Sequence, residues 1–208
     1  MSTAVPIPSH SVGEGSGLRR RRNSDATRHD ILVAAGRRFA RAGYAAVRLK
    51  DIADDVGVTA PLVIRYFGSK EALFREVATD EGGPTIDRAD LDGPKETLGH
   101  RLAKLLVAYW LDRATNFPSV ALVRSLDFEE AKTLFASEFA RRLLAPLAEA
   151  LPGPDPELRA RLIASQAMGV GLFGLGVLIE PDVPTPDAAQ LDRLVALFGA
   201  ALQATVDS

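Results

Sequence analysis

Leu49–Leu73 reads LKDIADDVGVTAPLVIRYFGSKEAL, and its punctuation is that of two short helices hinged at one glycine, with a third helix capped behind them. Ile52, Ala53 and Val56 recur at i, i+1 and i+4, so Leu49 to Val56 buries one face while Lys50, Asp51, Asp54 and Asp55 stay in water. Gly57 ends that helix in the left-handed conformation that a tight corner needs and that a Cβ would strain. Val58 plugs the corner. Thr59 offers a capping oxygen, and Pro61 falls where a missing N–H costs nothing, so a second helix starts at Thr59 or Ala60. Its Val63 and Phe67 turn toward the first helix, with Leu62 or Tyr66 beside them. Ala60, Pro61, Ile64 and Arg65 are left outside. An outward Ile64 next to Pro61 is odd for a solvated face, but it suits thymine methyls and sugar edges in a major groove. The plainer alternative is a core helix in a common glycine corner.

The flanks extend the pattern. Gly68 breaks the second helix, Ser69 caps a third, and Glu71 puts a negative charge in its first turn. Upstream, Asp25 to Arg41 sets Ile31, Leu32, Ala35 and Phe39 on one helical face, and Gly43 supplies the stop. Three helices surround the corner.

At this point the chain resembles the TetR family of transcription regulators. The resemblance rests on an ordered series: Ile31, Ala34, Ala35, Phe39, Ala40, Gly43 and Tyr44 in the first helix, Asp51-Ile52-Ala53, Gly57-Val58, Tyr66-Phe67, and Ser69-Lys70-Glu71-Ala72-Leu73. It implies that Thr59, Ala60, Pro61, Ile64 and Arg65 face base edges, that Tyr66 and Lys70 reach phosphates, and that Arg48 and Lys50 hold the backbone at the start of the second helix. The chain departs from the family where members often carry Lys-Gly-Thr-Leu-Tyr-His: here stand Ala60, Pro61, Leu62, Val63, Ile64 and Arg65. Arg48 replaces the common hydroxyl cap. The operator sequence therefore cannot be borrowed from relatives. Arg65 is the candidate for a guanine contact, since a bidentate arginine–guanine pair is the commonest specific one; a phosphate or surface arginine is its alternative.

Charge divides the chain in the same way. Residues 18–76 carry a net +6 and residues 77–208 a net −7, in a whole of 208 residues at −2. A basic N-terminal third is the footprint of a phosphate-binding end. Residues 1–18 are rich in Ser, Gly and Pro and lack periodicity, which predicts disorder. Arg19 to Arg22 follow, and residues 1–22 together form a candidate basic arm for an adjacent minor groove, or else a solvated charge run. The apolar stretch behind these arginines, Ile31 to Ala35, is too short for an export signal, so a cytoplasmic protein is expected.

Other chemistries lack their residues. The chain has no cysteine, hence no disulfide or thiolate site. His10, His29 and His100 share no ligand spacing, no metal or other cofactor is expected, and neither a nucleophile elbow nor a phosphate-binding glycine loop is present. A non-enzyme is the expectation.

Beyond about Glu81 the pattern is one of long helices separated by proline-rich turns: Pro94 to Arg113, Phe117 to about Leu126, Phe128 to Leu151, and Asp187 to Val206. Nothing there alternates with the period of a strand, so the fold class is all-α. Residues 23–80 are read as a helix-turn-helix domain and 81–208 as a helical effector-binding and dimerisation domain. Leu162 to Ile179, LIASQAMGVGLFGLGVLI, is apolar nearly all round; its length, its Ser165 and Gln166 and its four glycines favour a helix buried on all sides over a membrane span. Those glycines predict close packing against another helix.

The resemblance further implies that the last two long helices pair with their copies in a second subunit, giving a homodimer on a double-stranded operator. It also implies an inducer pocket in the C-terminal domain. Its candidates are Tyr109, Trp110, Phe117, Arg124, Phe135, Phe139, Met168 and Phe173, for a small apolar or aromatic molecule that releases a repressor from DNA. Two other readings stay open: a DNA-binding dimer indifferent to ligands, and a helical small-molecule carrier or enzyme that keeps a vestigial corner.

Overall fold

In the computed structural model, which describes residues 14–79, 86–112, 116–176 and 184–208, the described residues form helices and no strand. The protein is all-α. The glycine corner forms as its residues dictate: α2 (Leu49–Val56) ends at Gly57 with φ 72° and ψ 32°, and α3 (Ala60–Phe67) leaves from an extended Thr59 with Pro61 in its first turn. Val58 closes the corner by donating its N–H to the Ala53 carbonyl at 2.9 Å. The Thr59 hydroxyl, read as a cap, makes no capping bond. Ser69 does cap α4 (Lys70–Thr79), accepting from the Ala72 N–H at 3.1 Å.

The first helical run, α1 (Glu14–Ala46), breaks at Gly43, where φ is 74°. A Cβ there would lie 2.5 Å from the Arg124 carbonyl oxygen, so glycine is needed both for its conformation and for its neighbour. The start of α1 falls within the arm expected over residues 1–22. Residues 1–13 lie outside the described residues, but from Glu14 the backbone is helical, and Arg19 to Arg22 sit on helical turns rather than on an extended segment. Arginine is a good helix former, and lengthening a nucleated helix costs little.

Two apolar clusters hold the fold. Ile31, Ala35 and Phe39 of α1, Ile52 of α2, Val63 of α3 and Leu73 and Phe74 of α4 form the first, together with Ala121, Leu122 and Ala131 from farther along the chain. Full burial of the Ile, Leu, Val and Phe side chains among them is worth about 1.5–3 kcal/mol each. The last three belong to α7 (Phe117–Val123) and α8 (Glu129–Phe139), so the N-terminal core is completed from beyond the expected boundary near residue 80.

The second cluster is built on α6 (Leu98–Leu111), entered through a short α5 (Arg88–Leu91) and a 3-10 turn at Lys95–Thr97. A π-widened turn, Ala140–Leu144, carries α8 into α9 (Ala145–Ala150), which matches the single long helix expected there. Then come α10 (Pro156–Gly169), a second π-widened turn at Val170–Gly174, and α11 (Ala188–Asp207), capped by a reciprocal Asp187–Gln190 box. The closest helix crossing is α6 on α11. A Cβ on Gly99 would sit 2.2 Å from the Gln203 nitrogen, and the Gly99 N–H donates to Gln203 Oε1 at 2.8 Å. Buried Arg159 joins α10 to the end of α11 by donating to the Thr205 carbonyl at 3.1 Å and to that of Val206.

Leu162 to Ile179 departs from its expectation. Leu162 is 48% and Phe173 81% exposed, nothing lies within 4 Å of a Cβ on Gly169, and residues 177–179 fall outside the described residues. One side of this helix is therefore uncovered in the single chain. Close helix packing falls instead on glycines elsewhere, among them Gly99 and Gly199. Among the described residues no helix is long and apolar enough to cross a membrane.

Candidate nucleic-acid interface and internal cavity

The outer edge of α3 follows from its period. Val63 and Phe67 are buried, Leu62, Tyr66 and Ala60 are half-buried, and Thr59, Pro61, Ile64 and Arg65 are exposed. Ile64, 48% exposed, thus offers apolar surface beside a guanidinium that has no hydrogen-bond or ion-pair partner among the described residues. Arg48 and Lys50 are exposed at the start of α2, where Arg48 is paired with Asp51 at 3.0 Å. Two of the expected phosphate contacts are engaged within the chain. The Tyr66 hydroxyl shares a hydrogen bond with Ser24 Oγ at 3.1 Å, and the Lys70 ammonium lies 4.2 Å from the centre of the Tyr44 ring. Burial pulls the Lys70 ammonium below its ordinary pKa, with Glu71 opposing. A phosphate has to compete with these contacts.

The helices around the glycine corner are fastened to the body. Tyr44 stacks on Phe128 at 4.0 Å and 5°, donates its hydroxyl to Glu71 at 2.7 Å, and donates its backbone N–H to Ser125 Oγ at 2.9 Å. Arg75 of α4 pairs with Glu130 of α8. The Phe117 ring occupies the place where Gly36 lacks a Cβ.

Behind this joint lies a narrow cavity of about 50 Å³. That is room for a few waters, at roughly 10–15 Å³ each on the same measure. Its wall takes Trp110 and Leu106 from α6, Ser119 and Leu122 from α7, Phe135, Glu138 and Phe139 from α8, Arg142 and Leu143 from the π-widened turn, Ala164, Ala167 and Met168 from α10, and Ala78 from α4. Arg142 is buried; it donates to Glu138 at 2.6 Å and to the Thr79 carbonyl at 3.0 Å. Burial works to raise the Glu138 pKa, but hydrogen bonds from Arg141 and Arg142 outweigh it and hold the carboxyl below its ordinary value. A π-widened turn beside a cavity is a frequent mark of function.

Two family models match the sequence: Bacterial regulatory proteins, tetR family, over residues 31–77, and Tetracyclin repressor-like, C-terminal domain, over residues 96–206. The chain belongs to the TetR family. It is a DNA-binding transcriptional regulator of the helix-turn-helix type. Among solved structures, a TetR-family regulator from Streptomyces coelicolor is 25% identical, with 94% of this chain and 99% of that one covered and a TM-score of 0.53. A chain from Mesorhizobium loti is 20% identical over 87% and 96%, with a TM-score of 0.63. NalD, the secondary repressor of the MexAB-OprM multidrug efflux pump in Pseudomonas aeruginosa, is 21% identical over 84% and 95%, with a TM-score of 0.57. No curated protein matches the chain.

Within this TetR-family chain, half of the residues expected around an effector do come together. Trp110, Phe135, Phe139 and Met168 line the cavity. Tyr109 stands behind the wall, 5.0 Å from the Trp110 ring, and donates its hydroxyl to Ser119 Oγ at 2.8 Å. Phe117 packs into the N-terminal core, because the missing Cβ of Gly36 makes space for its ring there. Arg124 ends α7 at the Gly43 joint, outside the cavity wall. Phe173 points outward, on the uncovered side of the helix. Sequence reasoning missed Ala78, Ser119, Glu138 and Arg142. The Arg142–Glu138 pair had a local signal, opposite charges at i and i+4 on one helix, but a surface pair has the same spacing.

Proposed function

We propose that this regulator is a repressor that grips a two-fold operator as a homodimer and lets go when a small apolar or aromatic molecule fills the cavity. The observation that carries the reading is the wall itself. Ala78 belongs to α4 and to the N-terminal core, and the same side chain lines the cavity, so an occupant touches the DNA-binding end directly. Arg142 adds a polar tie to the last turn of α4 through Thr79. At about 50 Å³ the cavity has to widen to admit a ligand, and widening displaces α4. A ligand that prefers the widened state shifts the population toward it, and the two heads lose the spacing that fits successive grooves. For a shift from 1:99 to 99:1, that preference must be roughly ten-thousandfold.

The uncovered apolar residues support pairing. Leu158 and Leu162 stand one turn apart on α10, Phe173 continues that side, and Leu197, 67% exposed, stands on α11. Two copies place two α3 rods about one DNA turn apart. On this reading residues 23–80 hold DNA, residues 81–208 pair and sense, and the protein works in the cytoplasm, carries no cofactor and performs no reaction. A DNA-binding dimer indifferent to ligands is the second reading, supported by the small size of the resting cavity. The test is footprinting on the DNA flanking its own gene, with and without cell extract and then with single hydrophobic compounds, beside a transcription reporter. Protection that extract or a compound relieves, with a rise in transcription, supports the repressor. Protection that nothing relieves supports the second reading, and no protection at all overturns both.

A further inference from the structure

We propose that the cavity selects a neutral apolar molecule carrying one carbonyl-type oxygen, and that Trp110 and Ser119 hold this oxygen. The inference rests on the cavity being the effector site. Trp110 is 3% exposed, lines the cavity, and its indole Nε1 is buried without a hydrogen-bond partner among the described residues. A buried donor left unpaired is costly in a native protein and calls for an explanation. Its neighbours are committed elsewhere: the Asn116 amide donates to the Trp110 backbone carbonyl at 2.7 Å, and Tyr109 meets the indole edge-on.

Ser119 supplies a second donor in the same wall. Its oxygen accepts from Tyr109 at 2.8 Å, and burial keeps the Tyr109 hydroxyl protonated, so the serine proton is directed to another acceptor. Both available polar groups therefore give a hydrogen bond and ask for an acceptor.

The charges in the wall serve one another. Glu138 accepts from both Arg141 and Arg142 at 2.6 Å, and Arg142 also donates to the Thr79 carbonyl. A cationic ligand has to draw Glu138 away from two guanidiniums, and an anionic one meets the Glu138 carboxylate. A neutral acceptor disturbs neither. Leu106, the stacked pair Phe135 and Phe139, and Met168 make the remaining wall apolar, which fits a hydrocarbon or aromatic body.

Trp110 is the sole tryptophan of the chain, so its emission reports on this cavity alone. The experiment titrates the full chain with benzylacetone and with matched molecules: butylbenzene without the oxygen, phenylbutyrate with a negative charge, and phenylbutylamine with a positive one. Benzylacetone is expected to saturate the emission change at a concentration about tenfold or more below butylbenzene, and below both charged probes. Ser119→Ala should narrow that gap. Trp110→Phe, read by ligand-induced shifts in melting temperature, should narrow it further. Equal binding of benzylacetone and butylbenzene, tighter binding of either charged probe, or no binding of any probe overturns the inference. Tight, oxygen-dependent binding that leaves the operator complex intact upholds it while removing the effector role on which it was built.

Discussion

Ile64 and Arg65 are adjacent on the exposed edge of α3, and under the proposed function they split the work of reading DNA into an apolar contact and a forked donor. Arg65→Ala is expected to cost about 1–3 kcal/mol of operator affinity, and to relax preference at one base position in a binding-site selection. A uniform loss across all sequences would make Arg65 a phosphate contact instead. Glycines give a second test at this scale. Gly57 and Gly43 both have positive φ, near 72° and 74°, but a Cβ on Gly57 meets open space while one on Gly43 meets the Arg124 carbonyl at 2.5 Å. Gly57→Ala should therefore cost only the conformational strain, about 1 kcal/mol, and Gly43→Ala clearly more. Melting temperatures of the two variants check the order, and equal losses would show that the Gly43 joint yields. The exposure of Arg65 was legible in the sequence because an eight-residue helix between two glycines has one possible inner face. Phe117 was not, because its place depends on the absent Cβ of Gly36, eighty-one positions earlier in the chain.

At the scale of elements, α6 and α11 cross so closely that the backbone of one fills the space above the other. Gly99→Ala would put a methyl 2.2 Å from the Gln203 nitrogen, a backbone atom that cannot swing aside. The helices must part, at a cost of about 1–3 kcal/mol, which chemical denaturation can measure; an unchanged midpoint would deny the close crossing. The boundaries of α2 and α3 were readable from Gly57, Pro61 and Gly68, all local signals. The α6–α11 crossing was not, and packing was assigned instead to the glycines of the stretch from Leu162, where no neighbour approaches Gly169. A glycine's sequence context does not say which of its sides another helix will use. The π-widened turn at Ala140–Leu144 was equally hidden, since a single added residue leaves the apolar pattern almost unchanged. It sets Arg142 against Glu138, and this makes the element pH-sensitive. The Glu138 carboxyl is held below its ordinary 4.5 in the folded state. Its stabilising contribution is thus complete above that value and is lost as pH falls through the folded value. The melting-temperature gap between the wild-type protein and Glu138→Gln should shrink on acidification through the carboxylate range. A constant gap would mean that the charge is not what the arginines hold.

For the whole molecule, the proposed grip on a two-fold operator requires two heads, and the uncovered side of α10 and α11 is where the single chain leaves apolar surface in water. Leu158, Leu162 and Leu197 are each about half exposed or more, on the two helices that end the chain. A lone exposed leucine means little, but three on adjoining helices, with Phe173 beyond them, form the kind of patch that marks an interface. A paired Leu162→Glu and Leu197→Glu variant sets four carboxylates against one another across a two-fold contact. It should sediment as a monomer at micromolar concentration while keeping its helical circular dichroism, because neither side chain belongs to the buried cluster of its own chain. Operator affinity should fall far more than it does for Arg65→Ala, since losing the partner removes every contact of one half-site. A variant that remains dimeric, or a monomer that still protects both half-sites, would move the pairing surface elsewhere on the molecule.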